Sequence, residues 1–77
     1  MKIFISNLNF KTTAVHLSNL FLQFGIVLSA KIIMDNTGHS LGYGYIVMDQ
    51  QSGNSAINVL NNINFMNHYI EVSEAVV

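Results

Sequence analysis

The chain has 77 residues, of which 51% are hydrophobic and 9% are charged, and its formal net charge is -1 at pH 7. This length predicts one domain over residues 1–77, and the absence of Cys excludes disulfide bonds, thiolate metal sites and thiol redox chemistry. No apolar run approaches the roughly 20 residues of a membrane span, and the start of the chain lacks a secretory pattern. We therefore expect a cytoplasmic domain without a membrane partner.

The low charge is unusual, because globular domains carry about 25% charged residues. The chain has three lysines, no arginine and four acidic residues. A near-neutral protein exerts little long-range attraction on nucleic acid, and little charge repulsion keeps its copies apart. Charge alone therefore argues against strong nucleic-acid binding and leaves weak self-association as an alternative.

The first predicted element is a short β-strand near the N-terminus. Apolar and polar residues alternate there, so Ile3 and Ile5 face one side while Lys2, Phe4 and Ser6 face the other. The strand thus turns one aromatic side chain away from the expected core.

A helix is predicted over residues 14–24, where Thr12 or Thr13 can cap the first turn. Gly25 follows and is placed as the left-handed residue that ends the helix. The predicted core face repeats at i, i+3, i+4 and i+7, which gives Leu17, Leu20, Phe21 and Phe24.

Two strands joined by a polar turn are predicted next. The apolar, β-branched run at 26–34 forms the second strand, and residues 35–38 supply turn chemistry. The third strand covers 41–48, in which Tyr43 and Tyr45 point to one side and the residues between them point to the core. Outward aromatics on a strand are typical of a contact surface.

The rest of the chain predicts a second helix and a fourth strand. The helix covers residues 50–62 and begins at a cap supplied by Asp49 or Ser52. After a connector, alternation predicts the strand over 69–72, and residues 73–77 form a short tail.

The element order β-α-β-β-α-β predicts an α+β, ferredoxin-like sandwich. Right-handed crossovers place both helices on one face of a four-stranded antiparallel sheet with the spatial order 4-1-3-2. Strands one and three are central, so Phe4, Tyr43 and Tyr45 are expected side by side on the uncovered face. Such aromatics can stack unpaired bases at about 1–3 kcal/mol each, whereas a duplex offers its bases only edge-on.

Two stretches carry a family signature. Residues 41–48 are similar to the octamer K/R-G-F/Y-G/A-F-V-x-F/Y at their second to sixth positions. Residues 3–8, which read Ile-Phe-Ile-Ser-Asn-Leu, look like the matching hexamer. The chain therefore resembles the RNA recognition motif family over nearly its whole length, in particular its small single-domain bacterial and glycine-rich members. The resemblance implies a single-stranded RNA partner and no cofactor.

The same resemblance implies a role for individual side chains. Phe4 and Tyr45 would stack on successive bases, and Tyr43 would pack against the sugars between them. The backbone and polar groups near Ser73 would read base edges. Stacking ignores the 2′-hydroxyl, so single-stranded DNA remains an alternative partner.

The sequence departs from the family in its basic residues. The first octamer position is normally basic and here is Leu41, the last is normally aromatic and here is Met48, and the preceding loop carries no lysine or arginine. Alternation aims Lys2 and Lys31 at the open face, where we expect phosphate contacts, whereas Lys11 is expected to be an ordinary solvated charge. Binding is therefore predicted to be weak and modestly selective, at micromolar affinity or poorer.

Enzymes and metal-binding domains of the same topology need residues that this chain does not have. A phosphate-hydrolysing acylphosphatase would need an arginine, and a metal-carrier domain would need Cys-x-x-Cys; neither is present. His16, His39 and His68 lie on different predicted elements without ligand spacing. We therefore expect no catalytic site, no metal site and no cofactor.

The competing function is a protein-interaction or self-associating module that has lost its phosphate contacts. This alternative is suggested by the missing basic residues and by the expected exposure of Leu41. Val15 and Leu22, which lie outside the core face of the first helix, also favour it. A weak homodimer would cover the aromatic face or pair through edge strands at 32–34 or 69–70.

Overall fold

The computed structural model describes residues 1–76 and contains a mixed set of helices and strands. The helices are α1 (Ala14–Leu22) and α2 (Gln50–Leu60), and the strands are β1 (Lys2–Ser6), β2 (Ser29–Met34), β3 (Ser40–Val47), β4 (Asn64–Phe65), β5 (His68–Tyr69) and β6 (Glu71–Glu74).

Four of the strands form one antiparallel sheet in the order β2-β3-β1-β6. With β6 as the fourth long strand, this order confirms the predicted 4-1-3-2 arrangement. The buried residues of both helices share one cluster with the inward side chains of the sheet, so both helices pack on the same face. The buried apolar members are Ile3, Ile5, Leu8, Leu17, Phe21, Ile32, Ile46, Met48, Ala56, Leu60, Ile70 and Val72.

Both helices start at side-chain caps, as the sequence predicts. The Thr13 hydroxyl accepts from the His16 backbone N–H at 3.2 Å, and the Asp49 carboxylate accepts from the Ser52 backbone N–H at 3.0 Å. Each cap satisfies a backbone donor that has no partner inside the helix.

The end of α1 differs from the prediction. The helix ends at Leu22, and its cap residue Gln23 keeps a right-handed conformation. Gly25 has no positive φ, so it is not a left-handed stop. It is a glycine for reasons of space, because a Cβ there would overlap the Ser52 side chain at the start of α2.

The second strand is shorter than the predicted range 26–34, because the neighbouring strand β3 ends before it can pair with residues 26–28. Ser29 pairs with Val47, the last residue of β3, and the Leu28 N–H donates to the Val47 carbonyl at 2.8 Å. Ile26 and Leu28 therefore stay outside the sheet and are exposed. Likewise α2 ends at Leu60, two residues before the predicted end.

The predicted fourth strand at 69–72 is displaced by a small hairpin. Strands β4 and β5 pair across Met66 and Asn67, which both have positive φ, as a two-residue hairpin loop requires. Tyr69 belongs to this hairpin, and the strand that joins the sheet is Glu71–Glu74. The sheet edge on this side is thus β6 and not residues 69–70. The predicted tail at 73–77 begins inside β6, and Val77 lies outside the described residues.

Among residues 1–76, no helix is long and apolar enough to cross a bilayer.

Candidate nucleic-acid interface

Three aromatic side chains meet on the sheet face opposite the helices. The β1–β3 register places Phe4 directly across from Tyr45. The ring centroids of Phe4 and Tyr45 lie 5.5 Å apart at an interplanar angle of 48°, and those of Phe4 and Tyr43 lie 5.6 Å apart at 53°. These tilted contacts are typical of stabilising aromatic pairs. We call the Phe4, Tyr43 and Tyr45 surface the aromatic platform.

The platform is half-buried at its base and has no helix above it. Its three side chains are each partly exposed, while the residues between them in β1 and β3 are buried on the helix side. Gly44 permits this arrangement, since a Cβ there would overlap the Lys31 carbonyl oxygen and push β2 away from β3. The octamer glycine therefore serves the close approach of two strands under the platform.

Two lysines flank Tyr45. The Lys2 ammonium lies 4.3 Å from the Tyr45 ring centroid, within the range of a cation–π contact. Lys31 is the cross-strand partner of Tyr45 in β2, so its side chain leaves the sheet on the same face. The Lys2 ammonium thus lies over one ring of the platform, and Lys31 leaves the sheet next to the same ring.

Ser73 lies on the other side of the platform. It pairs with Phe4 across β1 and β6, and its side chain therefore shares the open face. Together with the chain beyond it, Ser73 borders a groove of about 290 Å³ next to Phe4 and Tyr45. The structure thus brings all six sequence-predicted site residues onto one face: Lys2, Phe4, Lys31, Tyr43, Tyr45 and Ser73.

An acidic residue on this face was not foreseen. Glu71 pairs with Ser6 in the sheet, and the Ser6 hydroxyl donates to its carboxylate at 3.2 Å. The outward position of Glu71 could have been predicted from alternation, because Ile70 and Val72 are predicted to point inward and the residue between them must point outward. Glu71 places a negative charge at the β6 edge of the open face, near the first strand.

A second groove, of about 390 Å³, lies beside the β2 side of the sheet. It is bordered by the loop that follows β1 and by the β2–β3 hairpin. The sequence predicts no role for the loop residue Phe10, and Lys11 is expected to be an ordinary solvated charge. An aromatic residue in a loop belongs to no periodic pattern. Only its residue type and its position just before α1 could have indicated that Phe10 is exposed. The lining residues are Phe10, Lys11, Thr12, Thr13, Ala14, Ala30, Lys31, Ile32, Met34, Gly38 and Ser40.

The two residues that depart from the octamer pattern, Leu41 and Met48, lie in different environments. Met48 is fully buried and belongs to the core cluster, so it replaces a core aromatic by another apolar side chain. Leu41 is 47% exposed at the start of β3, where it can offer no charge to a phosphate.

The histidines are used in local structure. The His16 ring accepts from the Thr13 N–H in the α1 capping box, His39 contacts the Thr37 hydroxyl at 2.7 Å, and His68 contacts the Asn7 carbonyl at 3.1 Å. Within residues 1–76, no group of three or more potential metal ligands comes together.

The hairpin loop between β2 and β3 is ordered by Asp35. Its carboxylate accepts from the Thr37 hydroxyl at 2.8 Å and from the backbone N–H groups of Thr37 and His39. These hydrogen bonds, led by the Thr37 hydroxyl, lower the pKa of Asp35 below its ordinary value of 3.8. The loop beside the second groove therefore carries a negative charge at neutral pH.

Comparison with known proteins agrees with this geometry. The family profile described as RNA recognition motif matches residues 3–71. The chain is 28% identical over 76 residues to human protein boule-like and 36% identical over 76 residues to glycine-rich RNA-binding protein 10 of Brassica napus. These alignments cover 97% and 96% of the chain but only 27% and 45% of the relatives. The chain spans about a quarter of the length of the boule-like relatives.

Solved structures share the whole fold. The crystal structure of RNA binding protein PG1 superposes with a TM-score of 0.96 at 35% identity and covers 100% of this chain and 95% of that one. The Sxl-Lethal protein/RNA complex superposes with a TM-score of 0.93 at 29% identity and covers 99% of this chain and 47% of that one.

Proposed function

The chain belongs to the RNA recognition motif family, and on that premise we propose that its open sheet face binds single-stranded RNA without catalysing a reaction. The observation that carries the proposal is the aromatic platform, in which three rings lie in mutual contact on an uncovered face. Similarity to glycine-rich RNA-binding protein 10 and to the Sxl-Lethal protein/RNA complex supports RNA as the ligand.

Base stacking on Phe4 and Tyr45 supplies most of the binding free energy. Each stacked base contributes about 1–3 kcal/mol and is tolerant of sequence. Tyr43, in contact with the Phe4 ring, packs against the sugar between the two bases. The groove beside Ser73 gives the base on Phe4 polar neighbours at its edge. The result is modest selectivity.

Lys2 has two uses in this arrangement. In the free protein its ammonium lies over Tyr45, a contact worth about 0.5–1 kcal/mol at an exposed site. A stacking base gains more than that, so it displaces the ammonium toward the adjoining phosphate. Lys31, across the strand pair from Tyr45, offers a second phosphate contact.

RNA is proposed as the ligand in place of single-stranded DNA because similar proteins are RNA-binding proteins by name, although stacking itself accepts both. A weak homodimer stays a prediction, and none of the contacts described above favours it over RNA binding. The cytoplasmic location also stays a prediction.

The test is a titration of fluorescent single-stranded RNA at low salt with the wild type and with the double variant Phe4→Ala/Tyr45→Ala. The proposal predicts micromolar or weaker binding by the wild type and a loss of at least about tenfold in the variant. Val59→Ala, at an exposed apolar residue of α2, is the control and should bind as the wild type does.

Sedimentation and circular dichroism must show that the double variant stays folded and monomeric. Unchanged binding by a folded double variant would mean that the aromatic platform does not bind RNA. Concentration-dependent association of the wild type that is abolished by Leu41→Lys would favour the self-associating module instead.

A further inference from the structure

The outer side of α1 is apolar and exposed. Val15 and Leu22 are 67% and 56% exposed, and their spacing of roughly two helical turns puts them on one line along the helix. This line faces away from the buried Leu17 and Phe21. The small side chain of Ser18 lies between Val15 and Leu22 along the same side. We call the surface formed by Val15, Ser18 and Leu22 the α1 stripe.

Exposed apolar residues continue in the segment that leads from α1 to β2. Ile26 and Leu28 in this segment are 75% and 72% exposed. Leu28 leaves the sheet on the helix side, because Ala30, two residues further on, packs against the core there. Single exposed apolar residues are ordinary, but four on the helix side of so small a domain are typical of an interaction surface.

The helix side of the molecule is poor in charge. Neither helix contains a lysine, arginine, aspartate or glutamate, and residues 12–30 contain none either. The Asp49 carboxylate lies close to Gly25, but it is held by the Ser52 backbone N–H at the start of α2. Burying an unpaired charge is costly, so the centres of protein interfaces are depleted of charge. The partner of the α1 stripe must therefore be uncharged where it covers the stripe.

A second copy of the chain meets this condition. Its α1 stripe is equally uncharged, and the net charge of -1 gives two copies little mutual repulsion. Antiparallel pairing of the two α1 helices about a twofold axis places Val15 of each copy against Leu22 of the other. The two Ser18 side chains then meet near the axis, where their small size lets the helices approach closely. The stripe is thus complementary to itself.

We infer that the α1 stripe is a self-association surface that joins two copies of the chain back to back. The helices of the two copies then face each other, and both aromatic platforms remain open to RNA. This dimer therefore goes beyond the proposed function without competing with it. A single pair of helices buries less than the roughly 1,600 Å² of a standard interface, so we expect a dissociation constant of about 0.1 mM or higher.

The test is sedimentation equilibrium of the wild type up to about 1 mM at neutral pH and moderate salt. The wild type should form dimers, and Leu22→Lys should weaken dimerisation by at least about tenfold, because it buries an unpaired charge. Leu41→Lys is the matched control, since it makes the same change at a 47% exposed leucine of β3, and it should dimerise as the wild type does. Lysine is a good helix former, and circular dichroism checks the fold of each variant.

A mixing experiment tests the antiparallel pairing. Val15→Glu alone should lose dimerisation as Leu22→Lys does. An equimolar mixture of these two variants should dimerise more strongly than either variant alone. The new carboxylate of one copy then lies against the new ammonium of the other, while the second contact between the copies keeps the native Val15 and Leu22. A mixture no stronger than its components would overturn the twofold pairing of the stripe.

Saturation with a short oligouridine should change the dimerisation constant by less than about threefold, because RNA is expected on the opposite face. A wild type that stays monomeric up to about 1 mM would overturn the inference. Dimerisation that is lost on RNA binding or in Leu41→Lys would place the interface on the open face and would also overturn it. Leu22→Lys should bind RNA within about twofold of the wild type, so a failure of the α1 stripe and a failure of the proposed function are separate outcomes.

Discussion

At the scale of single residues, the open face is short of positive charge. Lys2 and Lys31 flank Tyr45, while Leu41 occupies a position that is basic in the family pattern. Glu71 adds a negative charge at the β6 edge, held by the Ser6 hydroxyl. These three charges leave a net charge of only +1 on the open face, so individual substitutions among them should be measurable in the affinity.

Replacing Glu71 by Gln should strengthen RNA binding. The change removes a negative charge from the open face and keeps an oxygen that can accept from the Ser6 hydroxyl. We expect an increase of about two- to fivefold at low salt, since exposed charges interact by about 0.2–1 kcal/mol, and a smaller increase at high salt.

The control for that substitution is Asp49→Asn, which makes the same change in net charge at the start of α2. It should alter RNA affinity little. Equal strengthening by both substitutions would mean that overall charge, and not the position of Glu71 on the platform face, governs binding.

The platform residues could be predicted from the sequence, because alternation in a strand fixes the face of every side chain once one face is known to be buried. Phe4, Tyr43 and Tyr45 follow from that rule alone. Phe10 does not, since a loop residue has no periodic reference. The position of the Lys2 ammonium over Tyr45 also depends on a flexible side chain that no strand pattern determines.

At the scale of elements, capping and pairing explain the observed boundaries. The caps Thr13 and Asp49 were predictable because their side chains act on neighbours three residues away. The end of β2 was not, because it depends on where its partner β3 stops pairing. The β4–β5 hairpin was not predicted either, because its turn contains Met66, a residue type that is uncommon at positive φ.

Asp49 should make stability depend on pH in the acid range. The Ser52 backbone N–H, followed by the Ser52 hydroxyl, lowers the pKa of Asp49 below its ordinary value of 3.8. A carboxylate with a lowered pKa in the folded state stabilises above its unfolded pKa, and this stabilisation is lost as the pH falls through the folded value. The free energy of unfolding should therefore decrease below about pH 4.

Urea unfolding between neutral pH and about pH 2 measures this dependence. Asp49→Asn should match the wild type near neutral pH, because asparagine caps a helix about as well as aspartate. It should lose less stability in acid. A residual decrease is expected from Asp35, whose pKa is also lowered, and the combined Asp35→Asn/Asp49→Asn variant should remove most of it. Identical acid profiles for all three proteins would reject the assignment.

At the scale of the whole molecule, the fold and the charge determine different properties. The β-α-β-β-α-β order leaves one sheet face without a helix, and the central strands β1 and β3 carry the rings on that face. The net charge of -1 gives no general attraction for a polyanion. Binding should therefore depend on the bases of the ligand far more than on its phosphates.

The salt dependence of RNA binding should accordingly be shallow. With two or three neutralised phosphates, the slope of log affinity against log salt is expected to be about -1.5 to -2 for a single strand. Titrations at several salt concentrations measure it directly. A slope steeper than about -4 would contradict the small number of phosphate contacts assigned here.

The most direct test of stacking compares a single-stranded oligoribonucleotide with an abasic strand of the same length and charge. Both present the same phosphates to Lys2 and Lys31, but only the first has bases for the rings of Phe4 and Tyr45. Titration of the wild type at low salt should give binding of the base-bearing strand and a loss of at least about tenfold for the abasic strand. Equal affinity for the two strands would contradict the account.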